Sequence, residues 1–208
     1  MKTRRQRSSR LGAGERKIFE ALDFATRAHR GQYRKGTRVP YLLHPLRVAR
    51  LLIEAESAWQ VVVAGLLHDT TEDAGVRLET IRRRFGSRVA RLVSEASEPD
   101  KTLSWEERKR RTLAAVATAS PDALRVELAD KLDNIRSIRE DLEKDGDALW
   151  ARFRRGREEQ RWYYRGLARE FSLSARAEPL RSLARLFAKE VRAVFSARRE
   201  PPRRRLAR

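Results

Sequence analysis

The chain has three histidines, His29, His44 and His68, and two of them stand in company that can do chemistry. His68 and Asp69 end an apolar run and precede Thr70, Thr71, Glu72 and Asp73 in the stretch GLLHDTTEDAG. His44 lies in PYLLHPLRVA, where Pro45 suits the first turn of a helix and leaves His44 at its mouth. A third segment, ELADKLDNI (127–135), carries Asp130 and Asn134 four residues apart, so they share a helical face, with Lys131 adjoining. An aspartate close to the stripe of Leu128, Leu132 and Ile135 needs a cation, a hydrogen-bonding partner or water.

Neutral imidazoles and carboxylates suit a borderline-to-hard divalent ion such as Mn²⁺, Fe²⁺ or Zn²⁺. His44, His68, Asp69 and Asp130 offer two nitrogens and two or more oxygens, which leaves positions for water and a substrate oxygen. These residues come from three separate segments, so no local spacing decides the matter. Spacing alone is equally consistent with structural polar groups that satisfy one another. Glu72 follows His68 by four residues and Asp73 follows Asp69 by four. They are neighbours if the helix continues, whereas β-branched Thr70 and Thr71 favour a turn. In either case two carboxylates fall beside the proposed ligands, where they can orient or deprotonate a water whose pKa an ion lowers. The competing reading is a helix C-terminus with surface acids, which the helix dipole disfavours. Arg34 and Lys35 sit in a loop before His44. Arginine forks onto phosphate or stacks on a base and lysine acts as a mobile point charge, but an RK pair in an arginine-rich chain says little by itself.

The elements that must position these residues read as helices. Helical periodicity recurs along nearly the whole chain, and no alternating strand or hairpin pattern stands out. The spacing predicts helices over about 14–30, 43–55, 58–69, 77–85, 87–97, 104–118, 121–140 and 146–171, with GQYRKGTRVP (31–40) as a loop. Ser120 followed by Pro121 matches an N-cap and a proline at the first helical position. A last helix near 178–197 repeats Leu180, Leu183, Phe187, Val191, Val194 and Phe195 at three- and four-residue steps, a stripe that packs on the body. The expected architecture is all-α: a basic tail over 1–12, a single helical body over 13–172, a C-terminal helix over 173–197 packed on it, and a second basic tail over 198–208.

Composition narrows the classes. With 40% hydrophobic residues among 208, the chain can bury one substantial core. Zero cysteines exclude disulfides, thiolate ligands and cysteine nucleophiles. No apolar stretch approaches a membrane span and no h-region follows the basic start, so the expected location is the cytoplasm. The formal charge is +19. Residues 1–10 and 198–208 each contribute +5 of it, leaving +9 for the rest. Short basic tails of this kind are usually disordered and touch nucleic acid weakly and non-specifically. The remaining charge suits a polyanionic ligand.

The ordered set AHRGQYRKGTRVPYLLHPLRVA, GLLHDTTEDAG, RFGSRVARLV and ELADKLDNIR resembles the hydrolase domain of RelA/SpoT-type enzymes. These are HD-superfamily proteins acting on guanosine tetra- and pentaphosphate. The likeness is greatest to the small stand-alone, Mesh-type hydrolases and covers roughly residues 15–170. It implies an all-helical HD fold and Mn²⁺-dependent removal of pyrophosphate from the ribose 3′ position. By motif, His44, His68, Asp69 and Asp130 resemble the metal ligands, and Glu72 and Asp73 the acidic pair that positions the water. Arg34 and Lys35 resemble the loop pair that contacts base and phosphates, and Asn134 a nucleotide-contacting asparagine, with Lys131 beside it in the substrate-binding set. Arg157 is matched, loosely, to the distal phosphates, and His29 to a structural position. Without room for the synthetase domain of the long enzymes, the resemblance implies hydrolysis without synthesis.

Two positions depart from the family pattern. Both residues between HD and ED are threonine, which keeps the acids' spacing. Asp133 stands where family members commonly carry tyrosine or histidine, which implies an altered hold on the nucleoside. The rival readings are an HD phosphohydrolase acting on NADPH or an adenosine alarmone, and a catalytically silent, basic nucleic-acid-binding helical protein. Other divalent metals fit the ligand set, and the sequence leaves oligomeric state open.

Overall fold

The computed structural model describes residues 12–97 and 102–196; the basic tails expected over 1–12 and 198–208 lie, apart from Gly12, outside the described residues. Among the described residues ten α-helices follow in order: α1 (Ala13–Ala28), α2 (Leu43–Glu54), α3 (Trp59–Leu67), α4 (Thr70–Asp73), α5 (Leu78–Phe85), α6 (Ser87–Ala96), α7 (Trp105–Thr118), α8 (Pro121–Asp145), α9 (Arg157–Ser174) and α10 (Leu180–Phe195). A 3₁₀ stretch, Gly146–Arg152, links α8 to α9. Among the described residues the only extended pairing is an isolated bridge between Tyr33 and Pro40, which closes the loop ahead of α2. None of the described helices is long and apolar enough to cross a membrane.

The site is positioned by α2, α3 and α8. Helix α3 is buried from Val61 to Leu67, as expected of a helix that is apolar all round, and it packs against α1, α2, α6 and α8. The approach of α2 to α3 depends on Gly65. A Cβ there would lie 2.4 Å from Leu52 Cδ1, far inside van der Waals contact, so any larger residue would force the buried Leu52 side chain to shift. Helix α8 starts with the predicted cap: the Ser120 hydroxyl accepts from the Ala123 N–H at 3.3 Å and Pro121 follows it. Its inner face buries Leu124, Leu128, Leu132 and Ile135 together with Asp130 and Asp133.

Three sequence expectations need correction. The helix predicted over 121–140 runs on to Asp145, where Gly146 at φ +60° ends it in a conformation that favours glycine. The helix predicted over 146–171 is two elements, because the chain turns through 153–156 between the 3₁₀ stretch and α9. The helix predicted over 58–69 stops at Leu67, and His68 and Asp69 form a turn before the short α4.

The terminal stripe behaves as predicted. Leu180, Leu183, Phe187, Val191, Val194 and Phe195 are all buried, and α10 packs on α8 and α9. Phe187 meets Phe171 of α9 edge-on, with ring centres 5.2 Å apart.

Candidate metal centre

His44 and His68 enter from adjacent helix ends and bring their Nε2 atoms to 3.2 Å of each other. Asp69 Oδ2 lies 3.0 Å from His68 Nε2 and 3.4 Å from His44 Nε2. Asp130 Oδ1 lies 3.1 Å from His44 Nε2 and 3.6 Å from His68 Nε2. His44, His68 and Asp130 are buried, and one ligand atom of each lies within 4.8 Å of the others. Two nitrogens and the Asp130 oxygen thus converge on one point, with Asp69 Oδ2 beside both nitrogens, although the residues span α2, the turn after α3, and α8.

Each imidazole is oriented through its other nitrogen. His68 Nδ1 lies 2.9 Å from the Gly65 carbonyl, which can only accept, so Nδ1 carries the proton. His44 Nδ1 lies 2.7 Å from Asp133 Oδ2 and donates likewise. In the neutral rings both Nε2 lone pairs therefore point inward. Burial lowers the His44 pKa, but hydrogen bonds to Asp130, Asp133 and Asp69 outweigh it and raise it to about 10. Burial is outweighed at His68 too, by Asp69 and Asp130, and its pKa also rises. Both carboxyls are held low against burial, Asp69 by His68 and His44 and Asp130 by Lys131 and the two histidines. Two Nε2 atoms 3.2 Å apart cannot both carry protons directed at each other. A donor set that attracts positive charge, and that cannot take two protons at its centre, fits one cation. Its make-up of imidazole and carboxylate suits a divalent first-row ion.

Asp130 is held from both sides. Lys131 Nζ lies 2.5 Å from its Oδ2, and Asn134 Nδ2 donates to its Oδ1 at 2.6 Å. The Lys131 ammonium also lies 3.5 Å from Glu127 Oε2. Arg34, from the loop, donates to Asp133 Oδ2 and to Asn134 Oδ1, each at 3.2 Å. Three residues expected to bind substrate therefore brace Asp130 or its neighbours. Lys35 is exposed in the loop. The Arg157 guanidinium meets the Ser196 carbonyl oxygen at 3.4 Å and Glu158 at 3.7 Å, so no contact among the described residues ties it to the centre. His29 is buried and pairs with Gln32 rather than with the cluster.

Glu72 is half-buried and Asp73 exposed on α4, directly after the turn that carries His68 and Asp69. Tyr41 joins the two groups, and the sequence reading did not single it out. Its hydroxyl donates to Asp69 Oδ2 and lies 3.3 Å from Asp73 Oδ2. Burial and the neighbouring Asp69 raise its pKa, which keeps it a donor. Tyr41 could have been suspected from its place three residues before His44. Two other contacts steady α4: Thr70 Oγ1 donates to the Leu67 carbonyl at 2.7 Å, and Thr71 Oγ1 lies 3.0 Å from Ser97 Oγ. The threonines thus anchor the short helix as well as spacing its acids. A cavity of about 560 Å³ opens between α6, α7 and α8. Ser97 and Lys131, the partners of Thr71 and Asp130, border it, and Arg108 and Arg111 line it as well.

Comparison with known proteins bears on what this geometry is for. The HD-domain family model matches residues 21–160, two thirds of the chain. The chain belongs to the HD-domain family. Within it the chain groups with stand-alone MESH1-type, SpoT-related proteins. It is 44% identical over 131 residues to human guanosine-3′,5′-bis(diphosphate) 3′-pyrophosphohydrolase MESH1, a match covering 62% of this chain and 73% of that one. The Aquifex aeolicus guanosine-3′,5′-bis(diphosphate) 3′-pyrophosphohydrolase is 37% identical over 123 residues, 58% of this chain and 18% of that longer protein. Among solved structures, a metazoan orthologue of SpoT that hydrolyses ppGpp superposes with a TM-score of 0.70 at 28% identity, covering 90% of this chain and all of that one. The lmo0812 protein of Listeria monocytogenes superposes with a TM-score of 0.68 at 39% identity, covering 74% of this chain and 99% of that one. The all-α HD fold expected from the sequence is therefore the fold of this chain.

Proposed function

We propose that this chain is a divalent-metal-dependent hydrolase that removes pyrophosphate from the ribose 3′ position of guanosine tetra- and pentaphosphate, with Mn²⁺ as the ion. The observation that carries the reading is the convergence of His44, His68, Asp69 and Asp130 beside the Glu72–Asp73 pair, in a chain 44% identical to a 3′-pyrophosphohydrolase. Those four residues would hold the ion. Bound there, a divalent ion supplies positive charge that polarises a phosphoryl oxygen and lowers the pKa of a water.

The chain's own groups do the rest. Glu72 takes the proton from the attacking water as general base. Asp73, on the same short helix, orients that water, and Tyr41 keeps α4 in register with Asp69. Lys131 and Asn134 hold Asp130 at a fixed angle, so the acceptor geometry exists before substrate arrives. Arg34 and Lys35 border the nucleoside side with positive charge. The cavity bordered by Lys131 and lined by Arg108 and Arg111, with Glu95 and Glu127 also on its wall, is large enough to take a phosphate chain. Arg157, whose partners here are Ser196 and Glu158, is assigned to the distal phosphates by the family resemblance alone.

The test is an assay of purified protein with guanosine tetraphosphate, with and without Mn²⁺, following pyrophosphate and GDP. Release only with metal is expected. No release under either condition overturns the reading. Release from NADPH or an adenosine alarmone in preference to the guanosine substrate would move the assignment to another nucleotide.

A further inference from the structure

One residue of the α8 face does more than the family resemblance suggests. His44 is held at both ring nitrogens by carboxylates of one helix, three residues apart. Asp130 Oδ1 lies 3.1 Å from Nε2 and Asp133 Oδ2 lies 2.7 Å from Nδ1. A three-residue step on a helix places two side chains on one face about one turn apart, so their carboxylates can bracket a single imidazole ring from either side. Asp133 is 3% exposed, so its contacts are made away from solvent and bulk water does not screen them.

We propose that Asp133 is a positioning residue of the metal centre: it fixes the His44 tautomer and ring plane so that Nε2 faces His68, Asp69 and Asp130, and through Arg34 it couples that orientation to the loop ahead of α2. A carboxylate accepting from the remote N–H of a metal-binding histidine makes the ring a better donor and removes its freedom to flip. Arg34 completes the arrangement. Its guanidinium spans Asp133 Oδ2 and Asn134 Oδ1, and Asn134 in turn donates to Asp130 Oδ1. One loop arginine thus supports the groups that orient two proposed ligands, His44 and Asp130.

Charge balance alone is the competing account of Asp133, because Arg34 lies at 3.2 Å and Arg47 at 3.9 Å. That account makes Asp133 a structural acid with no bearing on metal. The two accounts differ in what the folded, metal-stripped protein does when the ion is added. The proposal rests on the metal reading of the site but not on the identity of the nucleotide.

The experiment is calorimetric titration of Mn²⁺ into metal-stripped wild-type, Asp133→Ala and Asp133→Asn proteins without nucleotide, alongside thermal unfolding of the stripped forms. Expected is a loss of about 10- to 100-fold in Mn²⁺ affinity for Asp133→Ala. Asp133→Asn keeps the shape and an oxygen that accepts from Nδ1, so it recovers part of that loss. Unchanged affinity in both variants, with only a lower melting temperature, would establish the charge-balance role and overturn the proposal. If Asp133→Ala does not fold, wild-type affinity in Asp133→Asn together with a wild-type pH dependence of Mn²⁺ binding overturns it as well. A wild type that binds no Mn²⁺ sinks both the site reading and this inference. A wild type that binds Mn²⁺ in an Asp133-dependent way yet releases no pyrophosphate sinks only the substrate assignment.

Discussion

The Nε2 atoms of His44 and His68 face each other across 3.2 Å, each ring turned inward by a hydrogen bond at its Nδ1. That relation makes protons and metal competitors for one point. Without an ion, Asp130, Asp133 and Asp69 overcome burial and raise His44 to about 10, so at neutral pH the stripped centre retains a proton that the ion must displace. The sign follows. A folded-state pKa above the unfolded value near 6.5 stabilises the stripped protein below that pH and loses its effect as pH rises through about 10. Mn²⁺ affinity should therefore rise with pH between 6.5 and 9, by about tenfold per unit if one proton is released. Calorimetry in buffers of different ionisation enthalpy measures the proton count, and a pH-independent affinity would contradict it.

Glu72 and Asp130 should separate cleanly. Glu72→Gln is expected to cut kcat by about 10²- to 10⁴-fold while Mn²⁺ binding persists, because Glu72 is not among the converging ligands. Asp130→Ala should lose metal and turnover together. Metal content and pyrophosphate release measured on the same preparations decide the point.

Tyr41→Phe removes the hydroxyl shared by Asp69 and Asp73. A hydrogen bond to a charged group is worth about 1.5–3 kcal/mol, so a loss of roughly ten- to a hundredfold in kcat/KM follows if the link positions the reacting groups. Steady-state kinetics with the fold checked by circular dichroism tests it.

Gly65→Ala places a methyl 2.4 Å from Leu52 Cδ1. Overpacking of this kind costs about 1–3 kcal/mol. The helix crossing also fixes the carbonyl that orients His68, so weaker Mn²⁺ binding should accompany the lower melting temperature.

Phe187→Ala tests whether α10 belongs to the body. The ring is fully buried against Phe171, and truncation of such a residue costs about 3–5 kcal/mol. Denaturant unfolding of the whole chain should show that loss in one transition, whereas a peripheral helix would melt separately.

Much of the fold could be read along the chain because its determinants are local. The apolar steps of VVVAGLL and of the Leu180–Phe195 stripe, the Ser120–Pro121 cap and the glycine-marked loop at 31–40 each act within a few residues. The chemistry-bearing residue types were legible for the same reason: histidine and aspartate in apolar surroundings need a partner whatever the fold. The end of α3 at Leu67 was harder, since Thr70 and Thr71 oppose a helix only weakly and the outcome depended on their bonds to Leu67 and Ser97. The division of 146–171 was missed because arginine-rich helical spacing continues through 153–155, while Gly156 ends the break and caps α9.

By itself the sequence determined that the chain is helical, which face of each helix is apolar, and which side chains can ligate or move protons. Only the tertiary structure decided who meets whom. His44 and Asp133 are 89 positions apart, and Arg34 and Asn134 are 100 apart; such pairings depend on helix crossings like that at Gly65. They also depend on side-chain direction, which periodicity does not encode. Lys131, Asn134 and Arg34 read in sequence as groups awaiting a substrate. Folded, they brace Asp130 and Asp133, because a buried charge must be paired before any ligand arrives.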